Sequence, residues 1–164
     1  RVGRAHEIPP DLGGDASLSG RHRPGKDADG DIAVGIEASQ SLGRLDIGQA
    51  VVAIGGRVIA VEGIEGTDEM LSRVADLRER GRIKAGRGAG VLVKAAKPQQ
   101  DLRVDMPTIG PRTVETVARA GLGGIAIEAG RVMIVDRAAT IETADRLKIF
   151  LAARDFGASG GRRP

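Results

Sequence analysis

Two runs rich in β-branched residues, Ala50–Ile54 and Arg57–Glu62, meet across Gly55-Gly56. A Gly-Gly pair tolerates the positive φ that a tight two-residue turn demands, so this stretch predicts a β-hairpin. "GTDEMLSRVADLRERG" follows and predicts a helix. Thr67 or Asp68 can cap its first turn, Met70, Leu71, Val74 and Leu77 share one face, and Gly81 ends it. "GAGVLVKAA" then predicts a short, continuously apolar strand buried on both faces. A hairpin, a helix and a buried strand in succession point to an α+β fold, a mixed β-sheet with flanking helices.

The second half extends the pattern. In "GPRTVETVARAGLGG" Pro111 sits near a helix start, Val114, Val117 and Ala118 share a face, and Gly121 follows the end. "GIAIEAGRVMIVD" gives two more strand-like runs around Ala129-Gly130, and "RAATIETADRLKIFLAA" a last helix running toward a short strand. A β-turn-β-then-helix rhythm therefore spans residues 50–78 and again 125–146. Residues 1–42 are expected to be an irregular linker, rich in Pro, Gly, Ser and Asp, with one short helix in "DIAVGIEASQSLG" stopped by Gly43. The domain proper is expected over 43–152 and a disordered tail over 153–164. The first residue is Arg rather than Met, so the chain is expected to be a piece of a longer protein.

Composition excludes several classes of function. The 164 residues contain two Phe, no Trp and no Tyr, which argues against base stacking on aromatic platforms. The net charge of +3 comes from 25 basic and 22 acidic residues that are interleaved along the chain. That pattern suits a solvated surface with mild attraction for anions such as phosphates, and no nucleic-acid partner is expected. There is no Cys, which rules out disulfides, thiolate metal sites and a Cys nucleophile. His6 and His22 have no ligand-like spacing, and no serine sits in a glycine-elbow context. No apolar stretch reaches the roughly 18–20 residues needed to span a bilayer.

The candidate chemistry lies in "VLVKAAKPQQDLRVDMPTIGPRT", where the buried strand opens into a polar loop before a helix. Lys94, Lys97 and Arg103 can neutralise phosphate oxygens. Asp101 and Asp105 flank Arg103, and an extended segment would put all three on one face. A carboxylate can hold Mg²⁺ or take a proton from water. The amides of Ile109 and Gly110 at the helix start add to an anion site. Glu62, Glu65 and Asp68 cluster around a glycine turn nearby, and Glu128 interrupts an apolar run. For each of these features the plain alternative stands: a solvated connection, a capped helix, or a strand end.

Three ordered blocks, "GRLDIGQAVVAIGGRVIAVEGIEGTDEML", "GVLVKAAKPQQDLRVDMPTIGPRTVE" and "GLGGIAIEAGRVMIVDR", resemble the C-terminal domain of the LpxI-type UDP-2,3-diacylglucosamine pyrophosphatases. The resemblance runs from about Gly43 to Phe150. It implies Mg²⁺-dependent hydrolysis of UDP-2,3-diacylglucosamine to 2,3-diacylglucosamine 1-phosphate (lipid X) and UMP, a step of lipid A synthesis. It also implies a cytoplasmic location, peripheral to the inner membrane, a missing N-terminal domain as partner, and a homodimer as an open option. The family's essential aspartate lies in an R-x-D-x-P-T-I-G block, which here falls on Asp105. By that resemblance Asp105 is the essential carboxylate; the mechanism expected around it has Asp105 holding Mg²⁺ and positioning the attacking water, with Lys94 and Arg103 stabilising charge. Lys97, Gln100, Thr108, Gly110, Glu65, Thr67 and Asp68 are then the substrate-binding residues. Ala96 and Met106 stand where family members commonly have Pro and Leu. The alternative is a truncated, non-catalytic domain that binds lipid X-like or nucleotide-sugar ligands, or pairs with a separate N-terminal half.

Overall fold

The computed structural model describes Leu18, residues 20–99, Asp101, Arg103 and residues 106–157. The predicted hairpin is β1 (Ala50–Ile54) and β2 (Arg57–Val61), antiparallel, with Gly55 and Gly56 both at positive φ. The buried run is β3 (Val91–Lys94), which pairs antiparallel to β1 and parallel to β5 (Gly124–Glu128). β7 (Phe150–Arg154) adds in parallel to β5, giving one five-stranded mixed sheet in the order β2-β1-β3-β5-β7. This is the α+β, mixed-sheet class expected.

Alternation along the strands builds two cores. Ala50, Val52, Leu92, Ile125, Ile127 and Leu151 face one way, against α2 (Thr67–Glu79), α3 (Pro111–Arg119) and α4 (Arg137–Leu147). Val51, Val93, Ala126 and Phe150 face the other way, against Ile32 and Ile36 of α1 (Lys26–Arg44). Each Val, Leu or Ile removed from water contributes roughly 1.5–3 kcal/mol, so the sheet is stabilised from both sides. α1 approaches closely because residue 35 is glycine: a Cβ there would collide with Val93. At the hairpin turn, Gly56 N donates to the buried Asp31 carboxylate at 2.7 Å, which fixes α1 along the sheet.

Several expectations are corrected. The short helix predicted within an irregular linker to residue 42 is a 19-residue helix that forms a full layer, and it ends at Arg44, one residue beyond Gly43. Its apolar residues Ile32 and Ile36 cover the sheet, so it belongs to the domain. At the other end β7 continues to Arg154, and Phe156 is buried against the α1 face, so order extends past residue 152. The remainder of the expected tail, 158–164, lies outside the described residues. Neither Thr67 nor Asp68 caps α2; its N-cap is Gly66 at φ 91, which only glycine adopts readily, so Thr67 is already helical. The second hairpin of the rhythm does not form. β5 has both edges occupied by β3 and β7, so β6 (Met133–Ile134) pairs instead with β4 (Thr108–Ile109) in a separate parallel ribbon.

Candidate functional site

The carboxyl ends of β2, β3, β5 and β7 lie at one edge of the sheet, and each ends on or beside a charged residue: Glu62, Lys94, Glu128 and Arg154. Alternation puts Lys94 on the α2/α3 side, since Leu92 two residues earlier packs there. Its Nζ donates to the carbonyl of Thr108 at 2.8 Å, which joins the end of β3 to the start of β4. Burial pushes the Lys94 ammonium below the ordinary lysine value, while the charges of Glu62 and Asp68 oppose that fall. Glu62 is itself buried and accepts from Gln49 N at 3.1 Å.

Two helix starts open beside this lysine. Asp68, in the first turn of α2, pairs with Arg112 Nε of α3 at 3.4 Å. Gly110 is the N-cap of α3, with Pro111 at the first helical position. Gly110 has no side chain to cap the helix, so only the reciprocal bond forms: Gly110 N donates to Thr113 Oγ1 at 3.1 Å. The first-turn amides of a helix have no intrahelical acceptor and carry partial positive charge. Lys94, Arg112 and the two helix starts therefore make an anion-attracting corner, with Asp68 and Glu62 balancing part of its charge.

Other predicted residues sit elsewhere. Lys97 pairs with Asp46 just beyond α1 at 2.8 Å, and this bond holds the Asp46 carboxyl below its usual range. Glu65 turns back on its own loop. Its Oε1 accepts from Gly63 N at 3.0 Å, its other oxygen pairs with Arg73, and its carboxyl is held low first by its own amide and then by Arg73. Arg103 is highly exposed and contacts Asp101, through its backbone N at 3.1 Å and Nε at 3.4 Å, so these two form a local turn rather than the extended face expected. Thr67 stands half-buried at the start of α2. Gln100 and Asp105 lie outside the described residues. The site thus brings together Lys94, Thr108, Gly110 and Asp68, but not Lys97, Glu65 or Arg103.

Sequence reasoning missed Arg112 and Arg131. Arg112 follows the Pro that opens α3, a position that faces the neighbouring helix start. Arg131 is three residues after Glu128 across the Gly130 turn, and its Nε lies 3.3 Å from the Glu128 carboxylate. A wide cleft of about 1310 Å³ occupies the opposite edge of the sheet, between the first turn of α1 and the glycine-rich loop 86–90. None of the predicted site residues lines it.

Among the described residues no three His, Asp or Glu side chains come together as a metal cage. Mg²⁺ is usually held by one or two carboxylates plus substrate phosphates and waters rather than by an all-protein cage. No described helix is long and apolar enough to cross a membrane.

The family model of the LpxI C-terminal domain matches residues 15–152. The chain belongs to the LpxI C-terminal domain family. A Caulobacter vibrioides relative, named UDP-2,3-diacylglucosamine pyrophosphatase LpxI, is 48% identical over 151 residues, covering 92% of this chain and 54% of its own length. The chain thus spans about half the length of the curated relative it matches. The LpxI match begins before α1, in keeping with that helix being part of the domain.

Proposed function

We propose that this chain is the catalytic domain of a Mg²⁺-dependent hydrolase that cleaves the pyrophosphate of UDP-2,3-diacylglucosamine to lipid X and UMP. The observation that carries the reading is the 48% identity to a relative with that substrate in its name. The anion-attracting corner supports it: Lys94, Arg112 and two helix starts suit pyrophosphate oxygens. Water attacks one phosphorus, one bridging P–O bond breaks, and the released phosphate carries away the electron pair. Mg²⁺ beside Asp105 would neutralise the developing charge on the phosphate oxygens. Lys94, tied to Thr108, keeps positive charge fixed at the end of β3, and the loop that leaves this strand carries Asp105.

The product is a diacylated sugar phosphate, and its acyl chains suit an enzyme that works peripherally at a membrane, here the cytoplasmic face of the inner membrane. The 54% coverage of the relative favours a second reading, in which this half binds the ligand and needs a separate N-terminal domain to turn over.

The test is lipid X and UMP formation from UDP-2,3-diacylglucosamine with and without Mg²⁺, for the chain and for the full-length protein, each beside Asp105→Ala. Turnover that needs Mg²⁺ and drops at least a hundredfold in Asp105→Ala supports the hydrolase. Turnover by the full-length protein alone, with lipid X bound by the chain, supports the second reading. Undiminished turnover in Asp105→Ala rejects the assignment of that residue.

A further inference from the structure

The loop that leaves β3 at Lys94 and returns at Thr108 is gripped at its start by side chains from the end of β5 and the turn after it. Ala95 N donates to Gln49 O at 2.9 Å, a continuation of the sheet ladder. One residue on, the ladder ends and Glu128 takes over: its Oε1 accepts from Ala96 N at 3.1 Å. The other oxygen of Glu128 lies 3.3 Å from Arg131 Nε, and Arg131 Nη2 donates to the carbonyl of Lys97 at 3.3 Å. Two side chains therefore hold the peptide groups on either side of the Ala96–Lys97 peptide, one through the N–H of Ala96 and the other through the C=O of Lys97.

The local sequence explains this arrangement. Glu128 is the last residue of β5, and its backbone carbonyl accepts from Arg131 N and Val132 N, both at 3.2 Å. Gly130 at φ 80 permits that tight reversal. Ala129 N donates to Arg154 O at 2.8 Å, which anchors the turn to β7. The turn returns Arg131 beside the carboxylate it neutralises. Glu128 keeps only 13% of its side-chain surface exposed. A carboxylate buried this far is costly unless paired and hydrogen-bonded, and its partners here are the arginine and the loop amide.

We propose that Glu128 and Arg131 are positioning residues: together they fix the direction in which the site loop leaves β3, and so the placement of the residues it carries toward Asp105. The proposal rests on the hydrolase reading for its catalytic part, whereas the clamp on the loop does not depend on it. Neither residue need touch substrate. Misplacement of a catalytic group by about 1 Å can cost on the order of a hundredfold in rate, so a bond pair at the loop's start acts on turnover through geometry.

The experiment uses the full-length protein with Glu128→Ala, Glu128→Gln and Arg131→Ala, each also combined with Asp105→Asn. Hydrogen exchange at the non-proline amides of residues 96–106 is read in every variant, with kcat and KM for UDP-2,3-diacylglucosamine. The expected result is at least tenfold faster exchange confined to this loop in the two alanine variants. kcat should fall at least tenfold, KM should move less than threefold, and the effect should vanish in the Asp105→Asn background. Glu128→Gln keeps an acceptor for Ala96 N and should fall between; it also serves if the alanine variants fail to fold. Unchanged loop exchange in the folded variants overturns the clamp, whether or not the enzyme turns over. Faster exchange with unaltered kcat, or a kcat loss fully additive with Asp105→Asn, overturns the positioning role. A wild-type protein that does not hydrolyse the substrate removes the hydrolase reading, and loop exchange still decides the clamp.

Discussion

Lys94 shows how one residue can belong to both the fold and the candidate site. It ends a strand whose other side chains are wholly buried, and its ammonium bonds a backbone carbonyl 14 residues away. Burial lowers its proton affinity, so the folded state releases the proton at a lower pH than the unfolded chain does. Between the folded value and the ordinary lysine value of 10.5 the unfolded chain holds more protons, and stability must rise with pH across that window. Below the window the cost of the charged amine is fully present. The wild-type protein should therefore gain on Lys94→Met as pH climbs toward 10.5, a trend readable from urea midpoints measured from pH 7 upward. At neutral pH, Lys94→Met is expected to cost about 1–3 kcal/mol, because the Thr108 carbonyl loses its partner. A flat difference across the pH range would contradict the burial of this amine. The sequence identified Lys94 by its place after an apolar run. It could not show that the amine spends a bond on Thr108, because that depends on where β4 lands. Arg103 is the converse case: charge and spacing marked it, yet among the described residues it pairs with Asp101 and stays highly exposed.

At the scale of elements, the hairpin, the buried strand and the helices after it were legible because their periods are local. Gly55-Gly56 and the run before Lys94 each determine their own conformation. β6 was misread because pairing is decided by which strand edge is free, a property of the assembled sheet. α1 was shortened because its first turn, Lys26 to Asp29, is polar and its contact with the sheet passes through a glycine. That glycine offers a test. An alanine in a helix interior normally stabilises by roughly 0.5–1 kcal/mol relative to glycine. At Gly35 the added methyl meets Val93 instead. Overpacking of this kind costs about 1–3 kcal/mol, so Gly35→Ala should destabilise despite the better helix propensity. The urea midpoint decides the sign, and the double variant with Val93→Ala should recover part of the loss.

For the whole molecule, the sheet is a shared wall between two cores, and neither core can be removed alone. A chain started at Gly43, the boundary suggested by the resemblance, would uncover the face formed by Val51, Val93, Ala126 and Phe150. Such a fragment should lack a cooperative unfolding transition, whereas one started at Gly20 should keep it; differential scanning calorimetry of the two separates these outcomes. The domain could not be delimited from composition because its outer layer, α1, carries few apolar residues and a polar start. Asp105 marks the other limit of sequence reading. Its importance came from resemblance to a family pattern, and neither local period nor charge singles it out from Asp101.

The bond from Lys94 to Thr108 also turns the intervening segment into a ring closed by an amine. The returning end of that ring is secured again where Met133 N donates to Pro107 O at 2.9 Å. Closing a ring costs entropy that grows only with the logarithm of its length, about 0.6 kcal/mol per doubling. Past the bonds that Glu128 and Arg131 make to Ala96 and Lys97, insertions or deletions before Pro107 are therefore cheap for the fold. The scaffold, constrained by packing, and the segment it closes can therefore diverge at different rates.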